Sequence, residues 1–246
     1  MKQYFLFRPF VLPLLALLLA GLQSCIYINT RDNDLPPRGV STRTLDVFNF
    51  DQLAIGSAFT IHVEQGTDFS VKATGELNDL DDLETSVSRS GVLEIRYRNT
   101  WRSRRERMDI DIVMPSLRGL DFSGASVSTV EGFENVPTLD YRLSGASKSI
   151  FTGSADRLNL DISGASELDL SRNGGVLIGD LSGASQLFAF DFPVEQADLD
   201  LSGASRARIR VSRLLKVDAS GGSNVRYKGD PTVEQRLSGG SSVTRE

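Results

Sequence analysis

The sequence is short of the residues from which most compact sites are built. Among 246 residues it has one cysteine, Cys25, one histidine, His62, and one tryptophan, Trp101. A lone cysteine excludes an internal disulfide and any cysteine-based metal cluster. Proline is scarce at 8 residues against 22 glycines, a balance that suits neither a collagen-like nor a disordered chain. Helical periodicity is missing too. Beyond residue 40 no long apolar stripe of period 3.6 appears, and Asn78 to Val87, the nearest candidate, is short and acidic. A positive charge balance is also lacking: 27 Lys+Arg against 32 Asp+Glu give a net charge of −5, and a mildly acidic body is a poor match for nucleic-acid phosphates.

There is a single long apolar run. Phe10 to Leu22 follows the basic residues Lys2 and Arg8 and is shorter than the roughly 20 residues a membrane-spanning helix needs. It ends in Leu22-Gln23-Ser24-Cys25. This segment resembles a bacterial lipoprotein signal, with leucine three places before the cysteine. The resemblance implies cleavage before Cys25, acylation of its thiol, and removal of residues 1–24 as a signal peptide. Two or more acyl chains anchor a protein stably where one is marginal. Residues 25–40, with Asp32, Asp34, Pro36, Pro37 and Gly39, read as a tether.

The body beyond the tether is repetitive. SGAS occurs at Ser123–Ser126, Ser144–Ser147, Ser163–Ser166, Ser182–Ser185 and Ser202–Ser205, and SGGS at Ser220–Ser223 and Ser238–Ser241, with offsets of 21, 19, 19, 20, 18 and 18 residues. Apolar residues alternate with polar ones on both sides, as in Leu158, Leu160, Ile162 and then Leu168, Leu170. Period two is a strand signal. A strand rises about 3.3 Å per residue, so one unit is too long for one strand and fits two strands around a corner. Stacked coils of this kind form an all-β, right-handed parallel β-helix-like solenoid with SGxS corners, seven coils giving roughly 30–35 Å. Gly145, Gly164, Gly183 and Gly203 would occupy conformations closed to other residues. A β-sandwich is the alternative, although it gives no reason for identical tetrapeptides at near-constant spacing. Residues 119–246 form this repeat portion. Residues 41–118 form an N-terminal β portion, in which Ile55-Gly56-Ser57-Ala58-Phe59 looks like a degenerate corner.

Phe50-Asp51-Gln52-Leu53-Ala54-Ile55-Gly56, Val63-Glu64-Gln65-Gly66, Leu93-Glu94-Ile95 and the SGxS series together resemble the "putative adhesin, head GIN domain" family of Bacteroidetes envelope lipoproteins. The resemblance covers about residues 43–245. It implies a β-helix-like fold displayed on the cell envelope, lipid-anchored and most naturally at the outer membrane.

Candidate sites are few. His62 reads as a surface strand residue, and seven equivalent serines look architectural, whereas a nucleophile is singular. In a stack, Asp161, Asp180, Asp200 and Asp218 would form an outward column about 5 Å apart, a solvated acidic ladder or a weak cation site. Trp101, Arg102, Arg104 and Arg105, with Arg98 and Arg107, read as an exposed basic loop able to meet an anion or a partner, the one local departure from the acidic average. Tyr141, Phe188, Phe190 and Phe192 are either a sugar-stacking surface or core. The expectation is a non-enzymatic envelope protein with no cofactor, contacting the membrane through its lipid, a glycan or an envelope protein at its surface, and other copies through its solenoid ends. A carbohydrate-processing enzyme on a β-helix and a purely structural component are the alternatives.

Overall fold

The computed structural model describes residues 36–100, 102 and 104–246, so Cys25 and Trp101 lie outside the described residues. The body is almost entirely strand. Ahead of the first full SGAS come β1 (Val40–Thr44), β2 (Gln52–Ile55), β3 (Thr60–Gln65), β4 (Ser70–Glu76), a single helical turn α1 (Leu77–Leu80), β5 (Leu83–Val87), β6 (Val92–Tyr97), β7 (Asp109–Met114) and β8 (Gly119–Phe122). After it come β9 (Val127–Glu131), β10 (Val136–Leu143), β11 (Lys148–Ile162), β12 (Glu167–Leu181), β13 (Gln186–Leu201), β14 (Arg206–Ala219), β15 (Asn224–Lys228), β16 (Thr232–Leu237) and β17 (Ser242–Arg245).

These strands wind into a parallel β-solenoid of about seven regular turns. Each SGxS corner separates a leading wall, made of strand residues before it, from a trailing wall made of those after it. The leading wall runs β6–β2–β8–β10, then the second halves of β11, β12, β13 and β14, then β16. The trailing wall runs β7–β3–β9, then the first halves of β11 to β14, then β15 and β17. β11 to β14 are long because each continues around the opposite corner, where Arg172 of β12 takes φ +101° and the register shifts between β12 and β13 and between β13 and β14.

The corner chemistry explains the repeat. The glycine of each motif is left-handed, with φ between +69° and +81°. A Cβ on Gly164 would stand 2.3 Å from the carbonyl oxygen of Gly145 one turn below, closer than any real contact. That close approach lets the third residue donate its amide to the glycine oxygen beneath, as Ala165 does to Gly145 at 2.8 Å and Ala184 to Gly164 at 2.7 Å. The interturn ladder therefore continues around the bend instead of leaving buried amides unpaired. The second serine points inward: Ser126, Ser147, Ser166, Ser185, Ser205 and Ser223 are fully buried. Several of these hydroxyls return to the first serine of their own motif, as Ser147 Oγ does to the Ser144 carbonyl at 2.8 Å. Others bond along the stack, Ser126 Oγ to Ser147 Oγ at 3.2 Å. The Ser166 hydroxyl has no partner among the described residues.

Inside, the registers set apolar residues directly above one another, Ile162 on Leu181 on Leu201, and Leu168 on Leu187 on Ala207. Each fully buried leucine of this kind stabilises the fold by about 1.5–3 kcal/mol. An edge-to-face series of rings, Phe122–Tyr141–Phe151–Phe192, with centroids 6.2, 6.2 and 6.5 Å apart, runs through the core.

The N-terminal residues depart from simple winding. The β2–β3 turn is threaded between the β6–β7 turn and the β8–β9 turn. Its corner is the degenerate copy, with Ser57 at φ +72° where later turns have glycine and Phe59 filling the core where they have serine. Beyond β6 and β7 the chain turns antiparallel: β5 pairs with β6, while β4 pairs with β7 and β1 with β4. These strands and α1 cover that end of the solenoid. At the other end lie β16 and β17, where Leu237 is exposed and Val233 and Val243 are half-buried.

Candidate functional site

The leading wall carries the acidic column. Asp161, Asp180, Asp200 and Asp218 are paired rung to rung in register, all exposed. Arg142 precedes them in the column and Arg236 follows. Asp198 stands beside Asp180 and Asp200 on the next outward position of β13. Partial burial, then Asp200, Asp161 and Asp198 in turn, push the Asp180 carboxyl above its ordinary value. Burial also raises Asp121 at the head of the column, where Arg142 opposes the rise and Asp161 adds to it. Among the described residues no group of three or more His, Cys, Asp or Glu side chains is placed to hold a metal ion. The column is a ladder of single carboxylates, one per rung.

The basic loop is only in part the exposed surface its composition suggests: Arg98 and Arg107 are exposed. Arg102 and Arg105 turn inward onto the capped end, with side chains only 15% and 12% exposed. Arg105 Nη1 lies 3.1 Å from Asp79 Oδ1, its Nη2 lies 2.5 Å from Asp82 Oδ2, and Arg102 Nη1 is 3.3 Å from Asp79 Oδ1. The Arg105 guanidinium sits over the Tyr97 ring, 3.5 Å from its centroid. The Asn99 amide also bonds to Asp82. Arg104 remains at the surface. Exposure fails for Arg102 and Arg105 because of Asp79 and Asp82: two buried carboxylates need compensating cations, and these two arginines supply them. The acidity that argued against a helix at Asn78 to Val87 is thus the counterpart of the arginine run.

The remaining candidates fall as follows. His62 stands outward on β3 beside Asp111 and Thr129. Tyr141 and Phe192 are core; the Tyr141 hydroxyl bonds to Ser149 at 2.5 Å, and burial raises its phenol above the ordinary range. Phe188 and Phe190 are half-exposed on the trailing wall, next to arginines of β14 that the sequence reading passed over. The signal was there, in basic residues at every second position of Arg206 to Arg210, but only the register reveals what stands beside them.

Residues 49–231 match the family model described as "putative auto-transporter adhesin, head GIN domain". The chain belongs to this family. Solved structures share its fold. A "putative adhesin" from Bacteroides fragilis superposes with a TM-score of 0.75 at 18% identity, covering 85% of this chain and 97% of its own. One from Parabacteroides merdae gives 0.72 at 18%, covering 86% and 98%. A "putative lipid binding protein" from Parabacteroides distasonis gives 0.71 at 16%, covering 86% and 99%. A search of curated proteins returned no match. At these identities the solved structures show a shared solenoid, and the head GIN family name points to the cell envelope. Among the described residues, no helix is long and apolar enough to cross a membrane.

Proposed function

We propose that this head GIN protein is a non-enzymatic, lipid-anchored envelope protein that presents the walls of its solenoid to a glycan or to another envelope component. The observation that carries the reading is the outward array of the walls: ionisable side chains repeat at one-rung spacing on a rigid, continuously hydrogen-bonded frame. Such a surface suits extended, repetitive ligands, whose subunits meet equivalent groups in succession. Membership of an adhesin family supports the same role. Anchoring rests on Leu22-Gln23-Ser24-Cys25 and on the apolar run before it, and the outer membrane is the membrane we assign.

Two experiments test this. The mature chain, made soluble by Cys25→Ser, is incubated with a glycan panel and with isolated envelope fractions, and both binding and product release are followed. Binding without turnover supports the proposal; released oligosaccharide overturns its non-enzymatic part, and failure to bind any component overturns display. In cells, labelled fatty acid is expected on the wild type and absent from Cys25→Ser, whose leader stays uncleaved; label on the variant removes the anchor assignment.

A further inference from the structure

The trailing wall changes character over its last rungs. β13 presents Phe188 and Phe190 outward. One rung on, β14 presents Arg206, Arg208 and Arg210, and β15 adds Arg226 and Lys228. Register sets Arg208 between Phe188 and Arg226, and Arg210 beside Lys228. The Arg208 guanidinium lies 5.4 Å from the Phe188 ring centroid, and the Lys228 ammonium 4.2 Å from that of Phe190. Among the described residues only Arg226 of these cations has an ion-pair partner, Glu246 at 3.0 Å. On the other side of the rings lie Glu167 and Asp169 of β12, and Asp191 marks the strip's end. The phenyl pair thus divides carboxylates from cations.

Among the described residues, two cation–π contacts and one ion pair are the only compensation for crowding these cations together. Like charges facing one another on adjacent strands destabilise a sheet, and here five gather on two neighbouring strands of an acidic protein. They form a grid, roughly 6.6 Å apart along a strand and about 4.8 Å between rungs, wide enough to meet several anions at once. The rings hold two of the cations through their π faces, which limits their motion before any ligand arrives. That use of the rings also selects the ligand. Single-stranded nucleic acid binds by stacking bases on free aromatic faces, and these faces already carry cations. A bilayer is gripped by apolar side chains that enter it, and the two outward rings of this patch are instead occupied by Arg208 and Lys228. A linear chain bearing one anion per sugar or per pair of sugars needs only the grid.

We propose that Arg206, Arg208, Arg210, Arg226 and Lys228 bind an acidic polysaccharide, a linear glycan carrying carboxylate or sulfate groups. The inference deepens the display reading and rests on it. The mature chain with Cys25→Ser is titrated with polygalacturonate and dextran sulfate, and with neutral dextran, phosphatidylglycerol vesicles and a single-stranded oligonucleotide as comparators. Both acidic polysaccharides are expected to bind, neutral dextran not, with affinity falling steeply as salt rises. Combined Arg208→Ala, Arg210→Ala and Arg226→Ala should weaken binding roughly tenfold, the joint loss of three exposed charge pairs. The corresponding lysine variant should retain most of it, and Asp180→Asn with Asp200→Asn on the other wall should not weaken it. If the triple alanine variant unfolds early, the single Arg208→Glu variant carries the same comparison. Undiminished binding by folded alanine and Arg208→Glu variants overturns the site while leaving glycan display intact, as does binding of neutral glycans alone. Tighter binding of vesicles or oligonucleotide overturns the ligand class. No binding to any glycan or envelope fraction removes the display reading itself.

Discussion

At the scale of single residues, the third position of the SGxS motif shows why the second must be glycine. Gly222 and Gly240 stand where other turns have alanine, and an added Cβ there meets nothing nearer than 3.8 and 3.6 Å. Gly164, one position earlier in its motif, has φ +74° and a backbone oxygen 2.3 Å from where its Cβ would sit. Gly222→Ala should therefore leave stability unchanged or raise it by about 0.4–1 kcal/mol through the unfolded chain. Gly164→Val should lower it by more than about 2 kcal/mol, since left-handed strain alone costs roughly 1–2 kcal/mol and the clash adds to it. Equilibrium denaturation of both variants checks the contrast. Asp180 offers a second test. A carboxyl whose folded pKa is raised binds its proton more readily when folded, so stability falls as pH rises from the ordinary value of 3.8 through the raised one. Asp180→Asn should thus raise the unfolding temperature at neutral pH and change it little near about pH 3. Both positions were legible in the sequence because the motif is copied: what one turn demands, seven turns display. The inward turn of the second serine was not legible, since alternation breaks at the corner and a small polar residue fits either side.

Among elements, the capped end is held by ionic contacts as well as by packing. Asp79 and Asp82 are buried, and Arg105 bridges them while resting on Tyr97. Removing one partner of such a network leaves a buried charge uncompensated, at a cost of about 3–5 kcal/mol. Arg105→Ala should accordingly lower stability by that order. Hydrogen exchange should locate the loss in α1, β5 and β6 before the SGxS turns are affected. An unchanged exchange pattern would mean that the arginine is dispensable to the cap. The strands of this region were readable from alternation, as in Thr60-Ile61-His62-Val63-Glu64. Their order was not. Nothing local records that β2 lies between β6 and β8, or that β4 and β5 reverse direction, because those partners are chosen by contacts between distant segments. Two arginines of the loop were misread for the same reason: Arg105 and Asp79 are 26 residues apart, and composition alone cannot pair them.

For the described body as a whole, the two walls carry different electrostatics: the leading wall a run of four aspartates flanked by Arg142 and Arg236, the trailing wall a cationic strip near its last turns. The fold was readable from the repeat, and the family from the repeat together with Phe50–Gly56, Val63–Gly66 and Leu93–Ile95. The cationic strip was not, because it needs the register of three strands. The same winding has a mechanical consequence. The hydrogen bonds between turns run along the solenoid axis, so tension between β1 at the capped end and β17 at the other loads them end-on, one turn at a time. A turn that gives way releases 18 to 21 residues, roughly 60–70 Å of extended chain, while the turns beneath stay wound. Stretched between two attachment points, the domain would yield in equal steps and lengthen before it broke, a shock absorber with one notch per SGxS. Single-molecule pulling should record a series of contour-length increments of about that size, and a single all-or-none extension would show that the turns yield together.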